Sequence, residues 1–166
     1  MLIAASVATA LVAARTDARE RTIPNWCCAL LAGLGLAFQL ARALLPGLVR
    51  SLWWEREVAA LLPAPFTCVV TAAVVLVVGV VAELCHRHLS GRVGMGLGDV
   101  KFLAAWATLI GPAVLLVLAA SCLGGAVFAL VRSERDFALG PWIFGFSCAL
   151  LAVPLFAALI PLVANV

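Results

Sequence analysis

Long apolar runs separated by short polar stretches make up almost the whole chain. The pattern divides into six apolar segments, which cover residues 2–16, 24–45, 64–85, 100–110, 113–131 and 141–163. Runs of roughly 20 apolar residues are long enough to cross a bilayer as an α-helix. The chain is therefore predicted to form an all-α, polytopic bundle of about six membrane spans, as one membrane-embedded domain over residues 1–166 with no soluble domain.

Two parts of this pattern leave alternatives open. The fourth and fifth segments form one run that only Gly111-Pro112 divides, and a proline at this place favours a break or a tight turn. One long kinked helix is the alternative, and it would leave five spans. The first segment is short for a span, so its helix either continues past Arg15 or starts upstream.

The basic residues are concentrated in alternate loops. Eight of the eleven lie in or at the edges of the loops after the first, third and fifth segments, and they are Arg15, Arg19, Arg21, Arg87, Arg92, Lys101, Arg132 and Arg135. Cytoplasmic loops of membrane proteins carry an excess of Lys and Arg. These loops are therefore predicted to face the cytoplasm, and both termini to face the other side. Trp26 and Trp142 fall near the inner boundary, and Trp53 and Trp54 near the outer one.

The composition supports a membrane protein. Hydrophobic residues make up 66% of the chain and charged residues 11%, with a mean hydropathy of +1.19. Soluble domains are about half apolar and about a quarter charged. The net charge of +3 is spread over short loops, so no nucleic-acid partner is expected. The six cysteines form no C-x-x-C pair, which predicts neither a disulfide framework nor a metal site.

Two of the eight acidic residues stand out by their position. Asp17 directly follows the first segment and Asp99 directly precedes the fourth, so both face the cytoplasm in the predicted topology. Two carboxylates brought close together share one proton. The ionised member then activates water and the protonated member donates to a peptide carbonyl, as in aspartic proteases. The alternative is that each acid caps a helix, and Asp99 would suit an N-cap. Glu83 is spaced for an ion pair with Arg87.

Three glycines precede Asp99 at every second position, namely Gly94, Gly96 and Gly98. Glycine permits unusual backbone angles and the close approach of another chain. A glycine path favours an extended peptide laid beside Asp99, although loop flexibility would explain the same residues. A phosphate-binding loop is disfavoured because no G-K-[ST] order follows.

The stretch "GMGLGDVK" (94–101) resembles the G-x-G-D-x-K signature of type IV prepilin peptidases, a family of membrane-embedded aspartyl proteases. Similarly, "TDARERTIPNW" (16–26) resembles the family's other catalytic segment, and "FALGPWIFG" (137–145) looks like its Gly-Pro stretch. The resemblance implies Asp17 and Asp99 as the catalytic pair. The further residues that match motif positions are Pro24, Asn25, Lys101, Gly140 and Pro141.

This resemblance implies an endopeptidase that uses no metal or cofactor. Such enzymes remove the short basic leader from pilin-like precursors at the cytoplasmic face of the bacterial inner membrane. The expected partners are that precursor, membrane lipid and, indirectly, pilus or secretion machinery. The chain resembles the short, peptidase-only form without C-x-x-C motifs, which gives no support for N-methyltransferase activity. An inactive scaffold of the same machinery and a small ion-coupled transporter are the alternative functions.

Overall fold

The computed structural model describes residues 1–45, 62–91, 95–132 and 138–164, with side chains up to residue 153. Within these ranges the chain is helical and contains no strand, which confirms the all-α fold class. The helices are α1 (Leu2–Glu20), α2 (Asn25–Leu44), α3 (Pro65–Ser90), α4 (Leu97–Ile110), α5 (Val114–Arg132) and α6 (Gly140–Ala164). The predicted outer loop with Trp53 and Trp54, and also Gly94, Arg92 and Arg135, lie outside the described residues.

Three stretches of the described residues are long and apolar enough to cross a membrane. They are Asn25–Leu44, Pro65–Ser90 and Leu97–Arg132, and a shorter apolar helix covers Gly140–Val153. Helix α1 is not among them, although it continues past Arg15 to Glu20 as one alternative predicted. The six spans and the side on which the termini lie remain predictions.

The break between α4 and α5 lies where Gly111-Pro112 predicted it. Gly111 has φ 58° and ψ −140°, a conformation outside the helical region that glycine adopts at low cost. Pro112 follows within a single 3-10 turn, Gly111–Ala113, before α5 begins. The interruption is therefore a short turn. It also packs closely on α3, since a Cβ at Gly111 would lie 3.1 Å from Sγ of Cys68.

Helix α4 is the central helix of the bundle. Every residue from Phe102 to Ile110 is buried, including the large side chain of Trp106. Helices α2 and α3 both pack closely on α4. Small residues allow this approach, since a Cβ at Gly79 of α3 would lie 2.6 Å from Cγ1 of Val100. The packing fixes the N-terminal turn of α4, which carries Asp99.

A buried amide joins α2 to the last turn of α4. Nε2 of Gln39 donates hydrogen bonds to the carbonyls of Thr108 at 2.8 Å and Leu109 at 3.2 Å. Carbonyls in the last turn of a helix have no partner within that helix. Nη1 of Arg42 donates in turn to Oε1 of Gln39 at 2.8 Å and to the carbonyl of Pro63 at 3.0 Å. The amide thus links α2, the end of α4 and the residues that precede α3.

Replacing Gln39 by leucine is expected to lower the free energy of unfolding by about 1–3 kcal/mol. The reason is that Gln39 is 2% exposed, so two carbonyls lose a donor and Arg42 loses an acceptor without water to replace them. Thermal unfolding in detergent micelles measures the change. Leu40→Ala on the same helix is the control, because Leu40 is 59% exposed. An equal melting temperature for both variants would contradict this role of Gln39.

Candidate active site

The two acids singled out in the sequence line one cavity. It has a volume of about 230 Å³ and lies where the end of α1 meets the beginnings of α2 and α4. Its lining consists of Asp17, Arg21, Thr22, Ile23, Asn25, Gly96, Gly98 and Asp99. Residues from two distant stretches of sequence, 17–25 and 96–99, are therefore brought together around the two carboxyl groups.

Asp17 is held by the N-terminus of α6. Its side chain is buried, and Oδ2 accepts a hydrogen bond from the backbone N–H of Gly140 at 2.9 Å. The first N–H groups of a helix lack intrahelical partners and form its positive end, so a carboxylate is stabilised there. Burial raises the pKa of Asp17 above its ordinary value, while the Gly140 hydrogen bond and the charge of Arg21 oppose the rise.

Gly140 leaves no room for a side chain against Asp17. A Cβ at Gly140 would lie 2.7 Å from Oδ2 and 3.1 Å from Cγ of Asp17. Pro141 follows in the first turn of α6, where its missing N–H breaks no helical hydrogen bond. The Gly-Pro pair therefore allows α6 to begin directly on the carboxylate.

Asp99 is the third residue of α4, so the alternative that it is the N-cap of this helix is wrong. The N-cap is Gly96, whose carbonyl accepts a hydrogen bond from the Asp99 backbone N–H at 3.0 Å. The side-chain Oδ1 of Asp99 is buried and has no hydrogen-bond partner among the residues that the structure describes. The carboxyl group is close enough to Asp17 for the two to interact electrostatically. The side chain is thus directed at the cavity and not at its own helix.

The described glycines keep space free around Asp99. A Cβ at Gly96 would lie 3.3 Å from Oδ2 of Asp99, and a Cβ at Gly98 would lie 3.4 Å from Cβ of Ile23. Neither glycine has a positive φ, so the expected unusual backbone angles are not found at these two positions. A side chain at position 96 would therefore crowd the Asp99 carboxyl group, whereas one at position 98 would make ordinary contact with Ile23. Gly94 lies outside the described residues.

A polar side-chain contact joins α2 to α4 beside the cavity. Nζ of Lys101 donates to Oδ1 of Asn25 at 3.0 Å, which ties the beginning of α4 to the beginning of α2. Pro24 is the N-cap of α2 and has the extended backbone that leads into this helix. Residues that match two separate motifs in the sequence are thereby adjacent in the structure.

Three of the cavity's residues, Arg21, Thr22 and Ile23, were not predicted from the sequence as site residues. They form the short link between α1 and α2, which begins at Arg21 in a left-handed conformation with φ 55°. Such a conformation costs a non-glycine residue roughly 1–2 kcal/mol. The available signal was the shortness of the link, only the four residues 21–24, which begins one helical turn after Asp17 and must pass close to that carboxylate.

The remaining observations concern the buried acid of α3 and the side chains that could bind a metal ion. The predicted ion pair on α3 is present, with Nε of Arg87 donating to Oε1 of Glu83 at 2.6 Å. No group of three or more His, Cys, Asp or Glu side chains that could hold a metal ion occurs within the described ranges. The acids that line the cavity are Asp17 and Asp99.

Comparison with known proteins gives one match. The sequence model of a family described as the type IV leader peptidase family matches residues 4–130. The matched range contains Asp17 and Asp99, whereas Gly140 and Pro141 lie beyond it. Neither the search of curated proteins nor the search of solved structures gives a match.

Proposed function

Because the chain belongs to the type IV leader peptidase family, we propose that it is a membrane aspartic endopeptidase with Asp17 and Asp99 as its catalytic pair. Family membership makes the protein a leader peptidase in general terms. The proposal of an acid pair rests on one observation, namely that both carboxyl groups line a single cavity of about 230 Å³. Such a cavity has room for a water molecule and a peptide group beside the acids.

The surroundings of the two acids suggest different roles. Asp17 accepts the Gly140 N–H, and hydrogen bonds to a carboxylate favour its ionised form. Asp99 has a buried oxygen without a partner among the described residues, and an unpaired buried oxygen favours the neutral form. We therefore assign water activation to Asp17 and the shared proton to Asp99.

The reaction that follows is hydrolysis without a covalent intermediate. Asp17 takes a proton from water while the water oxygen bonds to the scissile carbonyl carbon, and Asp99 gives its proton to the carbonyl oxygen. The tetrahedral intermediate then breaks its C–N bond. Asp17 passes its proton to the leaving amine, and Asp99 recovers a proton from the hydroxyl group. The products are a leader with a new carboxyl terminus and a mature chain with a new amino terminus.

The proposed substrate is a pilin-like precursor, cut at the cytoplasmic face of a bacterial inner membrane. The basic residues next to the cavity support this side of the membrane. Arg19 and Arg21 flank the end of α1, and Lys101 lies two residues after Asp99. Positive charge of this kind marks cytoplasmic loops. Pilus or secretion machinery would then use the mature product.

Incubation of the purified protein with a pilin-like precursor tests the proposal. We expect a shorter product whose mass corresponds to one cut in the precursor, between its basic leader and the apolar helix that follows the leader. A precursor from which the leader has been deleted is the control and should keep its mass. Absence of cleavage of type IV pilin, Flp-like and pseudopilin precursors alike would contradict the proposal and favour the inactive scaffold.

A further inference from the structure

A larger, apolar cavity continues from the carboxylate cavity along the helices. Its volume is about 530 Å³, and it forms a groove between α2 and α3 with α4 as its floor. Asn25 lines both cavities, and Lys101, which is bonded to Asn25, lines the groove as well. Along α2 the groove reaches from Asn25 to Leu36, a length of about 16 Å at the helical rise per residue.

The groove exists because α2 and α3 both pack on α4 and little on each other. Both helices are candidate membrane spans, so the groove lies at the depth of the bilayer. Six of the lining residues are alanines, namely Ala29, Ala32, Ala72, Ala73, Ala104 and Ala105. Small side chains in membrane helices allow another helix backbone to approach closely.

We propose that this groove binds the apolar helix of the precursor, an inference that rests on the proposed function. A peptide bond held between Asp17 and Asp99 is followed directly by the apolar part of the precursor. That part must leave the carboxylate cavity, and the groove begins at Asn25, on the same cavity wall. The apolar helix therefore passes from the acids into a groove of matching polarity without crossing water.

The continuity of the two cavities also sets where the precursor is cut. The Asn25–Lys101 hydrogen bond is the only polar side-chain pair at the junction that the described residues provide. A helix seated against the alanines has its first turn at this pair. The peptide bond presented to the acids is then a fixed number of residues before the helix, whatever the sequence of the leader.

Photo-cross-linking tests the groove independently of catalysis. A photoreactive amino acid is placed at Ala73 of the Asp17→Asn, Asp99→Asn double variant, and the protein is mixed with a pilin-like precursor in lipid vesicles. The matched control position is Ala82, an exposed residue on α3 that lies nine residues further on. At about 100° per residue the two positions face opposite sides of the helix.

We expect a cross-link from position 73 to the apolar helix of the precursor and none from position 82. Cross-linking of position 73 only to lipid, or to a second copy of the enzyme, would overturn the proposal. Equal capture from both positions, or no capture at all, would overturn it too. A wild-type protein that cleaves nothing although position 73 is cross-linked would overturn the proposed function and leave the groove in place.

A larger side chain in the groove provides a second test, which is made on the kinetics of the active protein. Ala73→Phe is expected to raise KM for the full precursor about tenfold with an unchanged kcat, the pattern of lost uniform binding. Ala82→Phe, with the same change in volume on the opposite face, should keep the wild-type KM. Identical kinetics for the two variants would overturn a role of the groove in binding.

Discussion

Replacing Asp99 by asparagine, or Asp17 by asparagine, is expected to reduce precursor cleavage about 10²–10⁴-fold. The amide has nearly the shape of the carboxyl group but neither takes nor gives a proton in the catalytic steps. An asparagine at position 17 still offers an oxygen to the Gly140 N–H, so the contact between α1 and α6 is preserved. The loss should therefore appear in kcat, with the protein inserted in the membrane at its normal level.

Cleavage rates from gel shifts of the precursor measure this effect, with enzyme amounts in the membrane determined in parallel. Glu20→Gln is the matched control, since Glu20 is an exposed acid at the end of the same helix as Asp17. It should cleave at the wild-type rate. Residues that act as a unit are strongly non-additive, so the double variant should be about as slow as either single one. A single variant with full activity would remove that residue from the pair.

Replacing Gly140 by alanine is expected to reduce cleavage about a hundredfold, although position 140 carries no reactive group. The added methyl would lie 2.7 Å from Oδ2 of Asp17, which is closer than a Cβ and a carboxylate oxygen can approach. Either the carboxylate rotates away or α6 shifts, and both weaken the hydrogen bond from the Gly140 N–H. A displacement of about 1 Å in a catalytic group is enough for a hundredfold loss.

Gly145→Ala is the control for this substitution, because the same change on the same helix has open space around the new Cβ. The cleavage rate and the melting temperature in detergent should both be measured. We expect Gly140→Ala to lose activity and Gly145→Ala to keep it, with both proteins folded. Full activity of Gly140→Ala would mean that Asp17 functions without its contact to α6.

Most of the helical framework could be predicted from the apolar pattern alone. The second segment, 24–45, corresponds to α2 (Asn25–Leu44), and the break at Gly111-Pro112 is where a glycine and a proline adjoin. The pattern placed the start of α4 too late, at residue 100. The helix begins at Leu97, because Gly98 and Asp99 interrupt the apolar run but still belong to the first turn of the helix.

The predicted third segment, 64–85, ends before its helix does, because the pattern again follows only the apolar residues. Its apolar run stops at residue 85, whereas α3 continues to Ser90. The added turn contains Arg87, whose ion pair with Glu83 spans one helical turn and satisfies a buried carboxylate. A hydropathy pattern cannot indicate a helix that continues beyond the apolar run in this way, because the continuation depends on side-chain pairing.

For the candidate site, the sequence pointed to two acids that the structure places at one cavity, but not to how they are held. Asp17 and Asp99 followed from their position beside the apolar segments and from the motifs around them. The contact of Asp17 with the start of α6 joins residues 17 and 140, and no spacing rule connects positions so far apart. The same holds for the groove, which depends on α2 and α3 diverging over α4.

The hydrogen bond between Gly140 and Asp17 has a consequence for biosynthesis. A nascent chain that has reached the end of α5 already contains both acids and the whole range matched by the family, 4–130. It still lacks the backbone N–H that holds Asp17. A ribosome adds roughly 5–20 residues per second, so α6 follows within seconds, and it must also insert and pack against α1. In the proposed mechanism, Asp17 is therefore fixed in its place only after α6 has been synthesised and has packed against α1.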